Sequence, residues 1–166
     1  IDLYGVYAPY QKLNDTTWEI NLETTIVNDS YQDCRITAKS CLIDEDGVVV
    51  GEAEGSGIVA LREKGVLHYS MQADNPKLWG CEHPHLYKIR TVLYQNGEAI
   101  DENNIRIGFR TVEISAEKGL LINGKKTFIN GVCAHQDYGI TGLAVPDNVA
   151  RYKVKLIREM GANGYR

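Results

Sequence analysis

The chain has 166 residues, of which 43% are hydrophobic and 24% are charged, and its formal net charge at pH 7 is -4. Since single domains most often contain about 100–150 residues, this length predicts one soluble domain, or one domain and a piece of another. The 18 basic and 22 acidic residues give no broad positive field, which argues against nucleic acid as a partner. A complete (β/α)8 barrel needs roughly 250 residues, so the length also excludes a whole barrel.

The sequence contains no signal for a membrane segment or a disulfide scaffold. No apolar run approaches the ~20 residues that span a bilayer, and the opening residues IDLYGVYAPY lack the features of a signal peptide. The four cysteines are scattered and form no Cys-x-x-Cys pair, so we expect them to be reduced. These features predict no membrane partner. They leave the compartment open between the bacterial cytoplasm, the periplasm and secretion.

Apolar and polar residues alternate through the first two thirds of the chain. The alternation is clearest from Thr17 to Ile26 and from Cys34 to Leu42, and a period of two is typical of half-buried β-strands. Further strands are predicted at Val48–Glu52, Gly57–Leu61, Val66–Gln72, Leu86–Tyr94 and Ala99–Arg110. Seven strands with turn signals between them predict a mainly β fold, an immunoglobulin-like antiparallel β-sandwich over residues 1–112.

A different pattern begins at residue 113. Asn123-Gly124 predicts a hairpin within Leu120–Thr127, Phe128–Ala134 is a short apolar strand, and Ala162–Arg166 begins another strand. Between these two strands, Pro146 and the acidic residue that follows it favour the start of a helix ending near residue 160. The sequence therefore predicts one βαβ unit.

A single βαβ unit cannot cover its own apolar surfaces. The predicted helix has an apolar face with a spacing of three and four residues, formed by Val149, Tyr152, Leu156 and Met160. We therefore expect residues 113–166 to belong to something larger. We also expect the face of helix 146–160 to be covered by the sandwich or by a second copy, in a homodimer.

Polar side chains follow the strand Phe128–Ala134. Cys133, His135 and Asp137 are two residues apart and point the same way if the strand continues. Loops after strands are where α/β folds place their sites, so His135 and Asp137 are candidate contacts to hydroxyl groups, and the alternative is a polar loop cap. Arg166 ends the next predicted strand, where it could orient a carboxylate, or it is a surface cation.

A second alternating group consists of Cys81, His83 and His85. Pro84 separates the histidines and no second ligand pair is in view, so we expect an ordered turn and no metal site. The sequence also lacks a phosphate-binding glycine loop, a nucleotide fingerprint and a Gly-x-Ser-x-Gly elbow. No cofactor is therefore expected.

Four segments occur in an order and spacing that resemble consecutive landmarks of glycoside hydrolase family 2, which includes β-galactosidases, β-glucuronidases and β-mannosidases. They are NPKLWGCEHPHLY at Asn75–Tyr87, IGFRTVEI at Ile107–Ile114, LLINGKKTFINGVCAHQD at Leu120–Asp137 and REMGANGYR at Arg158–Arg166. Residues before Asn75 agree with the family only in their strand pattern.

The resemblance implies an enzyme with a sugar-binding jelly roll, an immunoglobulin-like middle domain and a catalytic (β/α)8 barrel. This chain would hold the middle domain (1–112) and the truncated start of the barrel (113–166). The implied activity is hydrolysis of terminal β-glycosides with retention in carbohydrate metabolism. The substrate would be a glycoside, with a β-galactosidase as the first expectation and a β-glucuronidase or β-mannosidase as alternatives.

The two catalytic glutamates of the family lie further along, so no catalytic residue is expected within this chain and the chain alone is predicted to be inactive. An alternative of another class is a non-catalytic β-sandwich module that binds carbohydrate or a protein.

The resemblance also implies three substrate-binding residues. His135 matches a sugar-contacting histidine, Asp137 matches a sugar-contacting aspartate of the glucuronidase-like pattern, and Arg166 matches an arginine beside the nucleophile. Many galactosidases carry histidine where Asp137 stands. Cys133-Ala134 departs from the commoner Asn-Arg or Asn-Lys, and Gln136 replaces a frequent glutamate. The sugar therefore stays open between galactoside and glucuronide.

Overall fold

The computed structural model describes residues 1–135 and 137–166, and it is mainly β. The chain divides into two compact units, Ile1–Thr111 and Val112–Arg166. The first unit contains β1 (Val6–Tyr7), β2 (Tyr10–Lys12), β3 (Thr17–Val27), β4 (Cys34–Ile43), β5 (Val49–Val59), β6 (Lys64–Asp74), β7 (Tyr87–Gln95) and β8 (Glu98–Ile107). The second contains β9 (Val112–Ser115), β10 (Gly119–Ile122), β11 (Lys125–Lys126), β12 (Gly131–Val132), α1 (Asp147–Glu159) and β13 (Gly164–Tyr165).

The first unit is a sandwich of two antiparallel sheets. In one sheet β3 is central, with β6 along one edge and β1 and β2 along the other; in the second sheet the order is β5-β4-β7-β8. β1 and β2 share one register against β3, since Val6 lies opposite Thr24 and Tyr10 lies opposite Ile20. They are one edge strand interrupted at Pro9, a residue that a sheet tolerates at its edge. The sequence pattern alone did not predict this strand.

Side chains from both sheets form the core of the sandwich. At one end the fully buried Phe109 ring contacts the rings of Tyr10, Trp18 and Tyr87, with ring centroids 5.2 to 5.5 Å apart. Aromatic rings at such distances and tilts attract each other in addition to the area they bury. The other end is an aliphatic cluster formed by Ile26, Cys34, Ile36, Ala38, Val59, Leu67 and Leu93.

A row of hydroxyl groups crosses the core from one sheet to the other. The Tyr69 hydroxyl lies 2.8 Å from Thr24 Oγ1 and 2.9 Å from Ser40 Oγ, and Ser40 Oγ lies 2.7 Å from Thr91 Oγ1. Thr24 and Thr91 are fully buried. A buried hydroxyl without a hydrogen-bond partner destabilises the fold. In this row each of the four hydroxyls has another hydroxyl as its hydrogen-bond partner, although the surrounding core is apolar.

β5 is one continuous strand, so the prediction of two strands, at Val48–Glu52 and Gly57–Leu61, was wrong. Its inward positions are Gly51, Ala53, Gly55 and Gly57, which have little or no side chain and so hide the apolar alternation. The structure requires small residues there, since a Cβ on Gly55 would lie 2.5 Å from Tyr69 Cδ1 and one on Gly57 would lie 2.7 Å from Leu67 Cδ2.

The second unit begins with a small antiparallel sheet of β9, β10 and β11. The predicted hairpin is confirmed: β10 and β11 pair on either side of Asn123-Gly124, both of which have a positive φ. β12 and β13 pair in parallel around α1, as expected for a βαβ unit, although β12 is shorter than the predicted strand Phe128–Ala134. β9 was not predicted, because its four residues form too short a pattern.

Helix α1 begins after Pro146 and ends close to where the sequence predicts. Gly161, with φ +90°, donates its N–H to the Arg158 carbonyl at 2.9 Å and stops the helix. No residue of α1 is buried. The second unit does not itself cover the predicted apolar face, whose residues are exposed, and its half-buried helix positions are instead Lys153 and Ile157. That a second copy or the sandwich covers the apolar face stays a prediction.

Candidate functional site

The carboxyl ends of β12 and β13 lie side by side. Ala134 donates its N–H to the carbonyl of Arg166 at 3.0 Å, and Arg166 donates its N–H to the carbonyl of Val132 at 3.0 Å. These bonds extend the parallel pairing beyond the two strands. The backbone of Arg166 is therefore next to Ala134, one residue before His135.

Asn163 fixes the other ends of the same strands. Asn130 donates its N–H to Asn163 Oδ1 at 2.8 Å, and Asn163 Nδ2 donates to the Phe128 carbonyl at 2.8 Å. The following residue must be small, since a Cβ on Gly164 would lie 2.8 Å from Ile129 Cγ2. Sequence reasoning missed this support, although an Asn-Gly pair at the start of each strand is a visible signal.

His135 and Asp137 line one open depression beyond the end of β12, together with Ala134 and Leu143. Both side chains are exposed, so their polar atoms are free to meet a ligand from solvent. Gln136, which separates them, lies outside the described residues. The depression thus brings together two of the three predicted site residues, and the imidazole and carboxylate offer hydrogen-bond groups suited to hydroxyls.

The loop after the site is closed by a pair of backbone hydrogen bonds. Tyr138 donates its N–H to the Gly142 carbonyl at 3.0 Å, and Gly142 donates its N–H to the Tyr138 carbonyl at 2.9 Å. Gly142 has φ +58°, a conformation that glycine adopts without strain. From α1, the Lys153 ammonium donates to the His135 carbonyl at 3.1 Å and lies 5.0 Å from the centre of the Tyr138 ring.

The alternating group around residue 83 lies in an ordered turn. Trp79 and Pro84 pair across this turn, and Gly80 donates its N–H to the His83 carbonyl at 3.0 Å. His85 Nδ1 is 3.2 Å from Glu45 Oε2. Within residues 1–135 and 137–166, no three His, Cys, Asp or Glu side chains are grouped as metal ligands.

Glu45 is the acidic centre of a small charged cluster. It forms an ion pair with Lys77 and a second contact with His85, and these two partners, Lys77 first, hold the pKa of the Glu45 carboxyl below its usual range. The cluster joins the β4–β5 hairpin to the turn before β7. All three side chains are partly or largely exposed. The cluster therefore lies at the surface, and its electrostatic contribution to the stability of the fold is modest.

Comparison with known proteins identifies the family. The sequence profile of glycosyl hydrolases family 2 matches residues 5–110, well over half of the chain. This chain belongs to glycosyl hydrolase family 2.

Within the part of the chain that the structure describes, no helix has the length and apolar character that a membrane span requires.

Relatives of this family 2 chain match nearly all of it. The β-galactosidase BoGH2A of Bacteroides ovatus is 34% identical over 98% of the chain and 19% of its own length. A β-glucuronidase of Formosa agariphila is 25% identical over 100% of the chain and 17% of its own length. The crystal structure of a β-glycosidase from Bacteroides vulgatus has a TM-score of 0.81 at 30% identity, covering 98% of this chain and 20% of the other.

The chain therefore spans about a fifth of the length of the family 2 proteins it matches. The substrate-binding roles of His135, Asp137 and Arg166 stay predictions.

Proposed function

We propose that this chain is part of a longer glycoside hydrolase that cleaves terminal β-glycosides with retention, with a β-galactoside as the first candidate substrate. The observation that carries the proposal is the 34% identity to a β-galactosidase over 98% of the chain. Membership of glycosyl hydrolase family 2 supports the same reaction class.

In this proposal, residues 1–112 are the immunoglobulin-like middle domain and residues 113–166 begin a catalytic (β/α)8 barrel. The parallel pair β12 and β13 with α1 between them has the form of that barrel's repeating unit. Active sites of such barrels form at the carboxyl ends of their strands. His135, Asp137 and Arg166 follow the ends of β12 and β13, which is the position that a substrate-binding role requires.

The proposed chemistry assigns binding and charge stabilisation to these residues. His135 and Asp137 hydrogen-bond sugar hydroxyls, and the Arg166 guanidinium holds a neighbouring carboxylate in its ionised form. In a retaining glycosidase two carboxyl groups about 5 Å apart act as acid/base and as nucleophile. Both are proposed to lie beyond Arg166, so the chain by itself is proposed to be inactive.

A β-glucuronide is the second candidate substrate. A relative named β-glucuronidase matches the whole chain at 25% identity, and Asp137 fits the glucuronidase-like pattern. A glucuronide differs from a galactoside in its C6 carboxylate and in the configuration at C4, and the carboxylate would be recognised through a cation. A β-mannoside is the remaining sugar alternative.

The test is an assay of the longer protein with the nitrophenyl β-glycosides of galactose, glucuronic acid and mannose. We expect hydrolysis of the galactoside with the largest kcat/KM, and retention of configuration in the first sugar product observed by NMR. Inactivity on all three substrates would overturn the proposal, and a preference for the glucuronide would replace the first candidate by the second.

The site residues are tested by His135→Ala and Asp137→Ala in the same protein. Each loses its hydrogen bonds to sugar hydroxyls, which predicts a fall in kcat/KM of about tenfold to a hundredfold. A matched control is Asp147→Ala in the first turn of α1, which we expect to leave kcat/KM within about twofold. A non-catalytic binding module would instead show sugar binding by calorimetry and no turnover by the longer protein.

A further inference from the structure

We propose that Lys153 is a positioning residue that holds His135 and Tyr138, and through them Asp137, in the orientation that binds sugar; this rests on the proposed function. Its ammonium group contacts both residues. It donates a hydrogen bond to the His135 carbonyl at 3.1 Å and lies 5.0 Å from the centre of the Tyr138 ring.

The position of Lys153 on α1 distinguishes it from the other basic residues of the helix. Lys153 is half-buried, whereas Arg151, Lys155 and Arg158 are exposed. Lys155 pairs only weakly with Glu159, at 3.8 Å within the same helix. Lys153 is therefore the basic side chain that α1 directs at the strand-end loop.

The two contacts constrain different features of the loop. A charged donor fixes the direction of the His135 carbonyl. The attraction between the ammonium and the aromatic ring fixes the start of the closed turn between Tyr138 and Gly142. Asp137 lies between the two fixed points.

A loop held at both ends loses less conformational freedom when a ligand binds. The side chains of His135 and Asp137 are exposed, so the backbone supplies much of their orientation. Misplacement of a contact group by about 1 Å can cost as much as a hundredfold in rate. Without the Lys153 contacts, we expect the sugar to bind more weakly because it must order the loop.

The first experiment measures the loop in the 166-residue chain and does not depend on any enzyme activity. Lys153→Met keeps the apolar stem and removes the charge and the donor. Loss of the charged contact predicts faster amide exchange at Tyr138 and Gly142 by about fivefold. The matched control Lys155→Met, on the same helix, should change neither amide. Equal exchange in both variants would overturn the proposal.

The second experiment measures kinetics in the longer protein, with the preferred nitrophenyl glycoside. A positioning role predicts that Lys153→Met raises KM by about fivefold to tenfold and changes kcat by less than about twofold. Lys153→Arg should keep the KM close to that of the unmodified protein, since a guanidinium group also donates hydrogen bonds to carbonyls and stacks on aromatic rings. An unchanged KM, or no rescue by arginine, would contradict the role.

The two experiments separate failure of this inference from failure of the proposed function. If the unmodified longer protein hydrolyses none of the glycosides, the proposed function fails, and the exchange result still decides whether Lys153 orders the loop. If Lys153→Met does not fold, Tyr138→Leu removes one of the two contacts without changing the helix and takes its place in both measurements.

Discussion

The sandwich and the βαβ unit of this chain are built in different ways. Every buried hydrophobic side chain lies in the first unit, and among the described residues none from Val112 onward is buried. The second unit is ordered by directional contacts instead: the parallel backbone pairing, the Asn163 side chain and Lys153. A core distributes its stabilisation over many contacts, whereas a few hydrogen bonds each contribute about 1 kcal/mol.

The two units should therefore tolerate substitutions differently. In the first unit, shape and volume at inward positions decide stability, since close-packed interiors respond to single methyl groups. In the second unit, most side chains are exposed, so substitutions there should alter site geometry and ligand binding more than folding.

Because both tryptophans, Trp18 and Trp79, lie in the first unit, tryptophan fluorescence reports the unfolding of the sandwich.

The two phenylalanines of the chain give the largest expected contrast. Phe109 is 0% exposed at the centre of the aromatic cluster, and Phe128 is 80% exposed in the second unit. Phe109→Ala should lower the free energy of unfolding by about 3–5 kcal/mol in urea titrations, because it leaves a cavity. Phe128→Ala should change it by no more than about 0.5 kcal/mol. Equal effects would show that the units share one core.

Two glycines allow a tightly packed position to be compared with an open one. Gly55→Ala should destabilise the sandwich by about 1–3 kcal/mol in the same titration, because the new Cβ would lie 2.5 Å from Tyr69 Cδ1. Gly139→Ala, in the loop of the second unit, meets no atom within 4 Å and should be neutral. A neutral Gly55→Ala would mean that β5 and β6 are packed less closely than described.

A pair of tyrosines tests the row of buried hydroxyls. Tyr69→Phe removes the hydroxyl that links Thr24 to Ser40 and leaves their oxygens without that partner. We expect a loss of about 1–3 kcal/mol in the free energy of unfolding. Tyr152→Phe, 62% exposed on α1, is the control and should have no measurable effect. If Tyr69→Phe left the free energy of unfolding as unchanged as the control does, a water molecule would have to replace the Tyr69 hydroxyl.

The smallest expected effect is a change in acid stability. Lys77 and His85 lower the pKa of Glu45 in the folded chain, so the stabilisation is present above the ordinary glutamate pKa and disappears as the pH falls through the folded value. Glu45→Gln should lower the thermal midpoint slightly at about pH 7, and this deficit should shrink as the pH falls below the ordinary glutamate pKa. The control Glu117→Gln, in the second unit, should show no such trend, and a deficit for Glu45→Gln that grows as the pH falls would contradict this account.

Much of the sandwich and part of the site were predictable from local patterns. Alternation placed β3 and β4 within about one residue of their observed ends, and Asn123-Gly124 placed the β10–β11 hairpin. The broken edge strand at Pro9 was missed, because its two short halves join only through a shared register with β3. The contact of Lys153 with the His135 carbonyl was missed, because helical periodicity identifies an apolar face but not the loop that an adjacent lysine reaches.

The strand-rich class, the hairpin turn at Asn123-Gly124, the helix limits and the family resemblance that the comparisons confirm were all predictable from the sequence, since each depends on residues close together in the chain or on motifs in a fixed order. Three features are visible only in the folded molecule: β5 is one strand, four hydroxyls from two sheets form one row, and Lys153 contacts His135 and Tyr138. The reason is physical: these features depend on atoms from segments far apart in the chain, and their fit is defined only once the elements have packed.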